Sequence, residues 1–132
     1  MKIAADTNVL ARVILEDDAR QTEIARAMLA ESELVILPIA VLCELVWVLG
    51  RGYRISAADI MRAITQLCDT ENVSVDRPLV AAGLAMLQAG GDFADGVIAH
   101  EGRMLGAEVF VSFDGKAVKL LTAQGVKALV PD

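Results

Sequence analysis

The sequence predicts an α/β domain, a three-layer α/β/α sandwich around a mainly parallel central sheet of about five strands. Short apolar runs of strand length alternate with longer stretches of helical periodicity along the chain. Such alternation is typical of parallel sheets whose right-handed crossover helices cover both faces. The chain has 132 residues, of which 55% are hydrophobic, and this is enough for one buried core. We therefore expect a single domain over residues 1–132.

The predicted strands are short apolar runs bounded by turn residues or by helix starts. The run at residues 34–37 is apolar at every position, as in strands buried on both faces of a parallel sheet. The strands are expected at residues 2–5, 34–37, 73–75, 108–112 and 126–130.

Capping and breaking residues set the predicted helices. Apolar residues recur at helical spacing over residues 9–14, after the first strand. Pro38 begins a helix in its first turn, and the glycines of Gly50-Arg51-Gly52 end it. Ser56 caps the helix that follows. The helices after the first are expected at residues 22–30, 38–49, 56–68, 78–90, 92–105 and 116–123.

The charge and the apolar content limit the partners of the chain. Eighteen acidic and twelve basic residues give a formal net charge of −6, which argues against nonspecific binding of nucleic acid through a broad basic face. Carboxylates neutralised by a divalent metal still permit local contact with phosphate. The charge also suits a basic protein partner. The apolar share is high for so short a chain, so we expect a homodimer that covers some of it.

The hydropathy pattern predicts no membrane segment. The most apolar run, at residues 35–49, is interrupted by Pro38 and Glu44, and it falls short of the roughly 20 residues that span a bilayer. The first ten residues reach Asp6 before any apolar stretch that would form a signal-peptide core. We expect a cytoplasmic protein.

Cysteine and histidine usage excludes the common zinc sites. Cys43 and Cys68 lack the spacing of a zinc pair or of a redox motif, and we interpret them as reduced core residues. The one histidine, His100, follows Asp95 by five residues, which rotates it by about 140° around a helix. We interpret it as structural, and Trp47 as a core or dimer-interface residue. Any metal must then be held by oxygen ligands.

Two aspartates lie where helices begin after strands, at the sheet edge where parallel α/β proteins bind ligands. Asp6 follows the first strand directly, and Asp114 follows the fourth by two residues. Each also has a structural interpretation, as a helix N-cap or as part of an Asp-Gly turn. Asp92 and Asp95 resemble a capping box with Asp in place of Glu.

Glu44 interrupts a predicted helix that is otherwise apolar around its circumference. Such a helix should be buried, and a buried carboxylate is costly unless it is paired or binds metal. The nearest bases along the chain, Arg51 and Arg54, lie about two turns away or more. This pattern favours a functional role for Glu44.

Taken together, these carboxylates predict a metal site. Four acids that converge on one pocket repel one another unless a cation lies between them. All-oxygen ligands suit hard ions such as Mg²⁺ or Mn²⁺. The residues alone, without resemblance to any family, predict this metal site.

The same residues resemble a PIN domain of the VapC-toxin type. The resemblance is carried by Asp6-Thr7-Asn8 after the first strand, Glu44 in its apolar helix, Asp92-Phe93-Ala94-Asp95, and Ser112-Phe113-Asp114. It covers essentially the whole chain, and the ordered set is more specific than any one motif. One departure is Gly96, where the family pattern has Ala.

The resemblance implies roles for individual residues. It implies a catalytic and metal-binding tetrad of Asp6, Glu44, Asp95 and Asp114, with Asp6 and Asp95 as the principal ligands of Mg²⁺ or Mn²⁺. It implies supporting roles for Thr7, Asn8, Asp92 and Ser112. Weaker candidates for contact with the RNA backbone are Arg12, Arg51 and Lys116.

The implied activity is hydrolysis of RNA phosphodiester bonds without a side-chain nucleophile. The implied partner is a VapB-type antitoxin whose tail fills the groove beside the acids. Two alternatives remain. One is an interaction module of the same fold in which the acids serve only as caps and turns. The other is a haloacid-dehalogenase-like phosphatase with Asp6 as nucleophile, but Asn8 stands where that motif needs a second Asp.

Overall fold

The computed structural model describes residues 1–132 and contains the five strands and seven helices that the sequence predicts, in the predicted order. The chain divides into two compact units, Met1–Asp76 and Arg77–Asp132, which we call the N-terminal and C-terminal units. The expectation of a single domain stays a prediction. No helix has the length and apolar character needed to cross a bilayer.

The N-terminal unit is a parallel sheet with helical connections. Its elements are β1 (Lys2–Ala4), α1 (Thr7–Leu15), α2 (Ala19–Glu31), β2 (Leu34–Ile36), α3 (Ile39–Trp47), a π-helical turn (Val48–Gly52), α4 (Ala57–Cys68) and β3 (Val73–Ser74). The strands are hydrogen-bonded in the order β1-β2-β3, with Ile3 opposite Val35 and Val35 opposite Val73.

Side-chain caps explain two helix starts in this unit. The Asp18 carboxylate accepts a hydrogen bond from the Gln21 amide at 3.0 Å, so α2 begins earlier than predicted. The Ser56 hydroxyl accepts one from the Asp59 amide at 3.2 Å and starts α4 where the sequence predicts. Both caps satisfy an amide that the helix leaves without a partner. The large fully buried side chains of this unit are Leu10, Val35, Leu37, Leu42, Leu45, Leu49 and Ile64.

The expectation that α3 is buried on all sides is wrong. Its residues Leu42 and Leu45 are fully buried, but Ala40, Glu44 and Trp47 form an exposed face. These three positions recur at helical spacing, so one side of an almost wholly apolar helix faces solvent. The glycines predicted to end this helix lie in the π-helical turn instead.

The C-terminal unit contains a helix pair and a two-stranded parallel sheet. Its elements are α5 (Arg77–Gln88), α6 (Phe93–Met104), β4 (Phe110–Val111), α7 (Gly115–Ala123) and β5 (Ala128–Leu129). Strand β4 pairs with β5, with Val111 opposite Leu129. The α/β class with parallel strands is confirmed, but the hydrogen bonds divide the five strands into sheets of three and two.

Helices α5 and α6 interlock through two glycines. A Cβ on Gly83 would lie within 3.0 Å of the Phe93 ring, and the Phe93 side chain is fully buried. A Cβ on Gly96 would clash with the Ala82 carbonyl oxygen and with Met86. Gly96, the departure from the family pattern, is therefore explained by the close approach of α6 to α5. This packing fixes the helix that carries Asp95.

Candidate functional site

Three of the predicted site aspartates are helix N-caps. Asp6 accepts a hydrogen bond from the Thr7 amide at 2.8 Å, Asp92 from Ala94 at 3.1 Å, and Asp114 from Ala117 at 3.1 Å. In each case the acceptor is Oδ1. The second carboxylate oxygen, Oδ2, takes no part in the cap. The structural interpretation is thus correct for all three residues, and it leaves each with an oxygen that can bind a ligand.

Asp95 differs from the three caps. It lies in the first turn of α6, where a capping box would direct its carboxylate back to the amide of Asp92. The cap of α6 instead runs from the Ala94 amide to Asp92, and the Asp95 carboxylate accepts no hydrogen bond. The charge of Asp95 favours the start of the helix, but its half-buried carboxylate has no hydrogen-bond donor.

In the C-terminal unit, burial and two neighbouring charges shift the pKa of Asp95. Burial raises the pKa of the Asp95 carboxyl above its ordinary value, and the negative charges of Asp92 and Asp114 raise this pKa further. Like charges disfavour the ionised form, and a divalent cation beside them would favour it. The structure therefore brings Asp92, Asp95 and Asp114 within electrostatic reach of one another.

Ser112 holds the loop that carries Asp114. Its hydroxyl oxygen accepts a hydrogen bond from the Asp114 amide at 3.0 Å, which fixes the backbone of the three residues that follow β4. Phe113, between them, is 83% exposed. Lys116 lies exposed in the first turn of α7.

In the N-terminal unit, the residue after Asp6 is Thr7, whose side-chain hydroxyl has no hydrogen-bond partner. The Thr7 side chain is 5% exposed, and its Oγ1 has no hydrogen-bond partner. A buried, unsatisfied hydroxyl is uncommon and is a place where a water molecule or ligand is needed. Asn8, the next residue, is exposed and lines a cavity of about 510 Å³ between α1 and α2.

Glu44 does not lie in the environment that the sequence suggested. Its side chain is exposed on α3 and forms no ion pair. The inference that burial makes this carboxylate costly is therefore wrong. Its assignment as a metal ligand now rests on the resemblance to the family, and not on its surroundings.

One of the two interpretations of Trp47 is wrong. Its indole is 59% exposed, so it is not a core residue. Whether it lies in a dimer interface stays a prediction. Arg51, in the π-helical turn, is exposed as well.

Arg12 is held in place by neighbours that the sequence does not connect. Its guanidinium donates a hydrogen bond to the Tyr53 hydroxyl at 3.3 Å and lies 3.4 Å from the Asp17 carboxylate. The Tyr53 hydrogen bond is the main reason that the pKa of Arg12 is raised, with a smaller contribution from Asp17. Tyr53 follows Arg12 by 41 positions, so no local pattern could reveal this contact.

The remaining chemistry-bearing residues have modest roles. Cys68 is buried and Cys43 is half-buried, as expected of core residues. His100 is half-buried and lines a cavity of about 160 Å³ with Arg103 and Gln124. Its predicted exclusion from catalysis stays a prediction.

The four predicted ligands are divided between the units, with Asp6 and Glu44 in the N-terminal unit and Asp95 and Asp114 in the C-terminal unit. No group of three or more His, Cys, Asp or Glu side chains is arranged to hold a metal ion. The convergence of all four carboxylates therefore stays a prediction. Within the C-terminal unit, the Oδ2 atoms of Asp92 and Asp114 and the carboxylate of Asp95 are oxygen groups of the kind that a hard divalent cation prefers.

Comparison with known proteins agrees with these features at the level of the family. Residues 3–120 match the family described as PIN domain. Comparison with curated proteins finds no match.

Proposed function

This chain belongs to the PIN domain family, and from that membership we propose that it is a metal-dependent endoribonuclease, the toxin of a type II toxin–antitoxin pair. PIN domains are generally nucleases and commonly use divalent metals. The metal, the RNA substrate and the toxin role are the parts that we propose for this chain.

One observation carries the proposal. Asp95 is a half-buried carboxylate that accepts no hydrogen bond and lies near two further carboxylates, Asp92 and Asp114. This arrangement destabilises the ionised form of Asp95, and capping of the helix does not account for it. A carboxyl group whose pKa is raised by burial and by specific charged neighbours is a candidate for a functional site.

We assign the residues as follows. Asp6 and Asp95 would hold the principal Mg²⁺ or Mn²⁺, and Glu44 and Asp114 would complete the site directly or through water. When bound, the ion would activate a water for hydrolysis and offset charge on the leaving oxygen. Thr7, Asn8, Asp92 and Ser112 would position these carboxylates and the water near them.

The capping geometry supplies a direct test. Asn caps a helix about as well as Asp, so Asp6→Asn and Asp114→Asn keep their helix starts and lose a negative ligand. We expect both variants to fold as the wild type does and to lose cleavage of single-stranded RNA in Mg²⁺ or Mn²⁺. The loss should exceed the 10- to 100-fold typical of outer-shell partners of a metal. Gel electrophoresis of the RNA measures it.

A thermal shift separates metal binding from catalysis. A ligand present at 100 times its Kd stabilises the folded state by about 2.7 kcal/mol, so Mg²⁺ or Mn²⁺ should raise the wild-type melting temperature. The matched control is Asp18→Asn, because Asp18 caps α2 in the same way and is not a proposed ligand. Full cleavage by Asp6→Asn or Asp114→Asn would overturn the ligand assignment.

The alternative is an interaction module of this fold without catalysis. The observation in its favour is that Asp6, Asp92 and Asp114 all have a structural role as helix N-caps. It predicts that RNA stays intact with wild type and variants alike.

Mapping the 5′ ends of cellular RNA after brief induction of the protein, with the Asp6→Asn variant as the control, would also identify the target RNA. Identical maps for both proteins would contradict the nuclease proposal.

We propose a VapB-type antitoxin as the partner. The cavity between α1 and α2 supports this, because it combines the exposed apolar side chains of Ile24 and Met28 with the polar Asn8 and Arg12. An apolar groove with a polar end suits an amphipathic segment. Coexpression of the neighbouring gene should relieve toxicity, and Met28→Glu should weaken that relief without altering RNA cleavage.

We also propose that the chain forms a homodimer. Apolar side chains of Ile98, Leu105 and Val111 in the C-terminal unit are more than half exposed. Light scattering at several protein concentrations would measure the mass. A monomer at every concentration would overturn this part of the proposal.

A further inference from the structure

We propose that the C-terminal unit has a second binding site, at the opposite end of α6 from Asp95, for a phosphate monoester with a small aromatic body. The site consists of two adjoining cavities between α6 and the turn at residues 124–127, which we call the α6 cavities. It does not include the acids of the proposed nuclease, so the inference does not depend on that function.

The α6 cavities share one wall. Their volumes are about 160 and 330 Å³, and Ala99, Arg103 and Val126 line both. Ala99 and Val126 also pack with Met86 in the hydrophobic core of this unit, so the wall is formed without a ligand. The larger cavity has the size of a small-molecule site, for which volumes of about 300–1,000 Å³ are typical.

The charge around the α6 cavities has the opposite sign to that of the chain. Arg103 and Lys127 line the larger cavity, against one acid, Glu108, and His100 lines the smaller one. The chain as a whole has 18 acidic and 12 basic residues. No ion pair of the protein includes Arg103, Lys127 or Glu108. Two cations without a carboxylate partner at one cavity attract an anion.

The two cations favour a phosphate over a carboxylate. The guanidinium of Arg103 can bind either group through two parallel hydrogen bonds, and the ammonium of Lys127 adds a point charge. A carboxylate carries one negative charge, whereas a phosphate monoester carries about −1.5 to −2 at neutral pH. Only the phosphate can therefore satisfy both cations at once.

The rest of the lining indicates the body of the ligand. Ile98 and Phe110 line the larger cavity beside the cations, and this apolar surface disfavours a sugar phosphate, whose hydroxyls would lose water. In the smaller cavity, the Gln124 amide donates to the Ala85 carbonyl at 3.4 Å and to the Met86 sulfur at 3.6 Å. The Gln124 carbonyl oxygen is left to accept from the ligand. An aromatic ring with an amino group suits both surfaces.

The α6 cavities are distinct from the acidic cluster. Asp95 lies in the first turn of α6 and Arg103 in the last, which separates them by about 12 Å along the helix axis. The charges that act on Asp95 are those of Asp92 and Asp114. Without a metal ion, a phosphate is repelled by these acids and attracted to the other end of the helix.

Calorimetric titration in EDTA uses this difference. The full chain is titrated with adenosine 5′-monophosphate, with adenosine and with inorganic phosphate. We expect the monophosphate to bind. Adenosine lacks the charge and inorganic phosphate lacks the aromatic body, so each should bind about tenfold or more weakly.

Variants of the lining give the second readout. Arg103→Gln and Lys127→Gln each remove one cation and should weaken binding of the monophosphate about tenfold or more. The matched control is Lys119→Gln, because Lys119 is exposed on α7 and lines neither cavity. Gly102→Leu places a side chain in the larger cavity, where a Cβ meets nothing closer than Ala107 at 3.9 Å. It should abolish binding, and circular dichroism checks that each variant folds.

Each outcome decides the inference. The absence of binding to the wild type overturns it, and so does unchanged binding to both Arg103→Gln and Lys127→Gln. Adenosine that binds as tightly as the monophosphate overturns the role of the cations, and inorganic phosphate that does so overturns the aromatic body. A Kd that rises with protein concentration assigns the α6 cavities to a second copy and overturns the site. RNA cleavage is measured separately, so the proposed function and this site can each fail alone.

Discussion

The acids of the two units have different surroundings. In the C-terminal unit, Asp95 is half-buried, accepts no hydrogen bond and is crowded by Asp92 and Asp114. In the N-terminal unit, Glu44 is exposed and unconstrained, and Asp6 caps a helix beside an unsatisfied hydroxyl. The electrostatic cost of the proposed site therefore lies in the C-terminal unit. The exposed aromatic surface beside a proposed ligand in α3 lies in the N-terminal unit.

The largest expected effect comes from removing the support of the C-terminal acids. Phe93→Ala empties a fully buried site against Gly83, so we expect the free energy of unfolding to fall by about 3–5 kcal/mol. Urea denaturation measures it. Phe113→Ala, at an 83% exposed phenylalanine, should stay within about 0.5 kcal/mol of the wild type. Similar losses in both variants would show that α5 and α6 do not pack as described.

A smaller loss should follow from separating α6 from α5. Gly96→Ala places a methyl group against the Ala82 carbonyl, and overpacking of this kind costs about 1–3 kcal/mol. The matched variant is Gly102→Ala on the same helix, where the new Cβ would meet its nearest neighbour at 3.9 Å. We expect Gly102→Ala to stabilise by up to about 1 kcal/mol. A neutral Gly96→Ala would contradict the close approach.

Asp95→Asn sharpens the comparison by relieving the crowding. Because the pKa of Asp95 is raised in the folded state, its ionisation destabilises the metal-free protein at neutral pH. We expect Asp95→Asn in EDTA to raise the melting temperature by about 1–3 °C, the shift for a few tenths of a kcal/mol. Calorimetry measures it. The gain should shrink as the pH falls below the ordinary pKa of an Asp carboxyl, because the wild-type side chain is then protonated in both the folded and the unfolded protein. A gain that does not depend on pH would exclude this cause.

Glu44→Gln tests the other side of the comparison and should have the smallest effect on stability. Glu44 is exposed and forms no ion pair. In EDTA the melting temperature of the Glu44→Gln variant should therefore match that of the wild type. Its RNA cleavage should nevertheless be lost, as in Asp95→Asn. A marked destabilisation would mean that Glu44 has a structural partner.

The sequence predicted the elements well because their signals are local. Ser56 and Pro38 mark helix starts whatever the rest of the chain does, and the apolar run at residues 34–37 has no competing periodicity. The π-helical turn was missed because two glycines near a helix end are the usual signal of termination.

The site was harder to predict because it depends on what packs against each helix. An almost wholly apolar helix does not reveal which side its neighbours leave open, so the predicted burial of Glu44 and the core interpretation of Trp47 were wrong. The approach of α6 to α5 at Gly96 is equally invisible, because it depends on a backbone carbonyl of Ala82. The capping roles of Asp6, Asp92 and Asp114 were predicted because helix starts are local features.

The use of one carboxylate oxygen for each cap has a genetic consequence. A single-nucleotide change converts an Asp codon to an Asn codon, and at Asp6, Asp92 and Asp114 the product keeps the oxygen that starts the helix. We therefore expect these Asn variants to fold even if they lose the proposed activity. A population under pressure to silence the proposed toxin would accumulate intact, inert copies that still sequester the antitoxin.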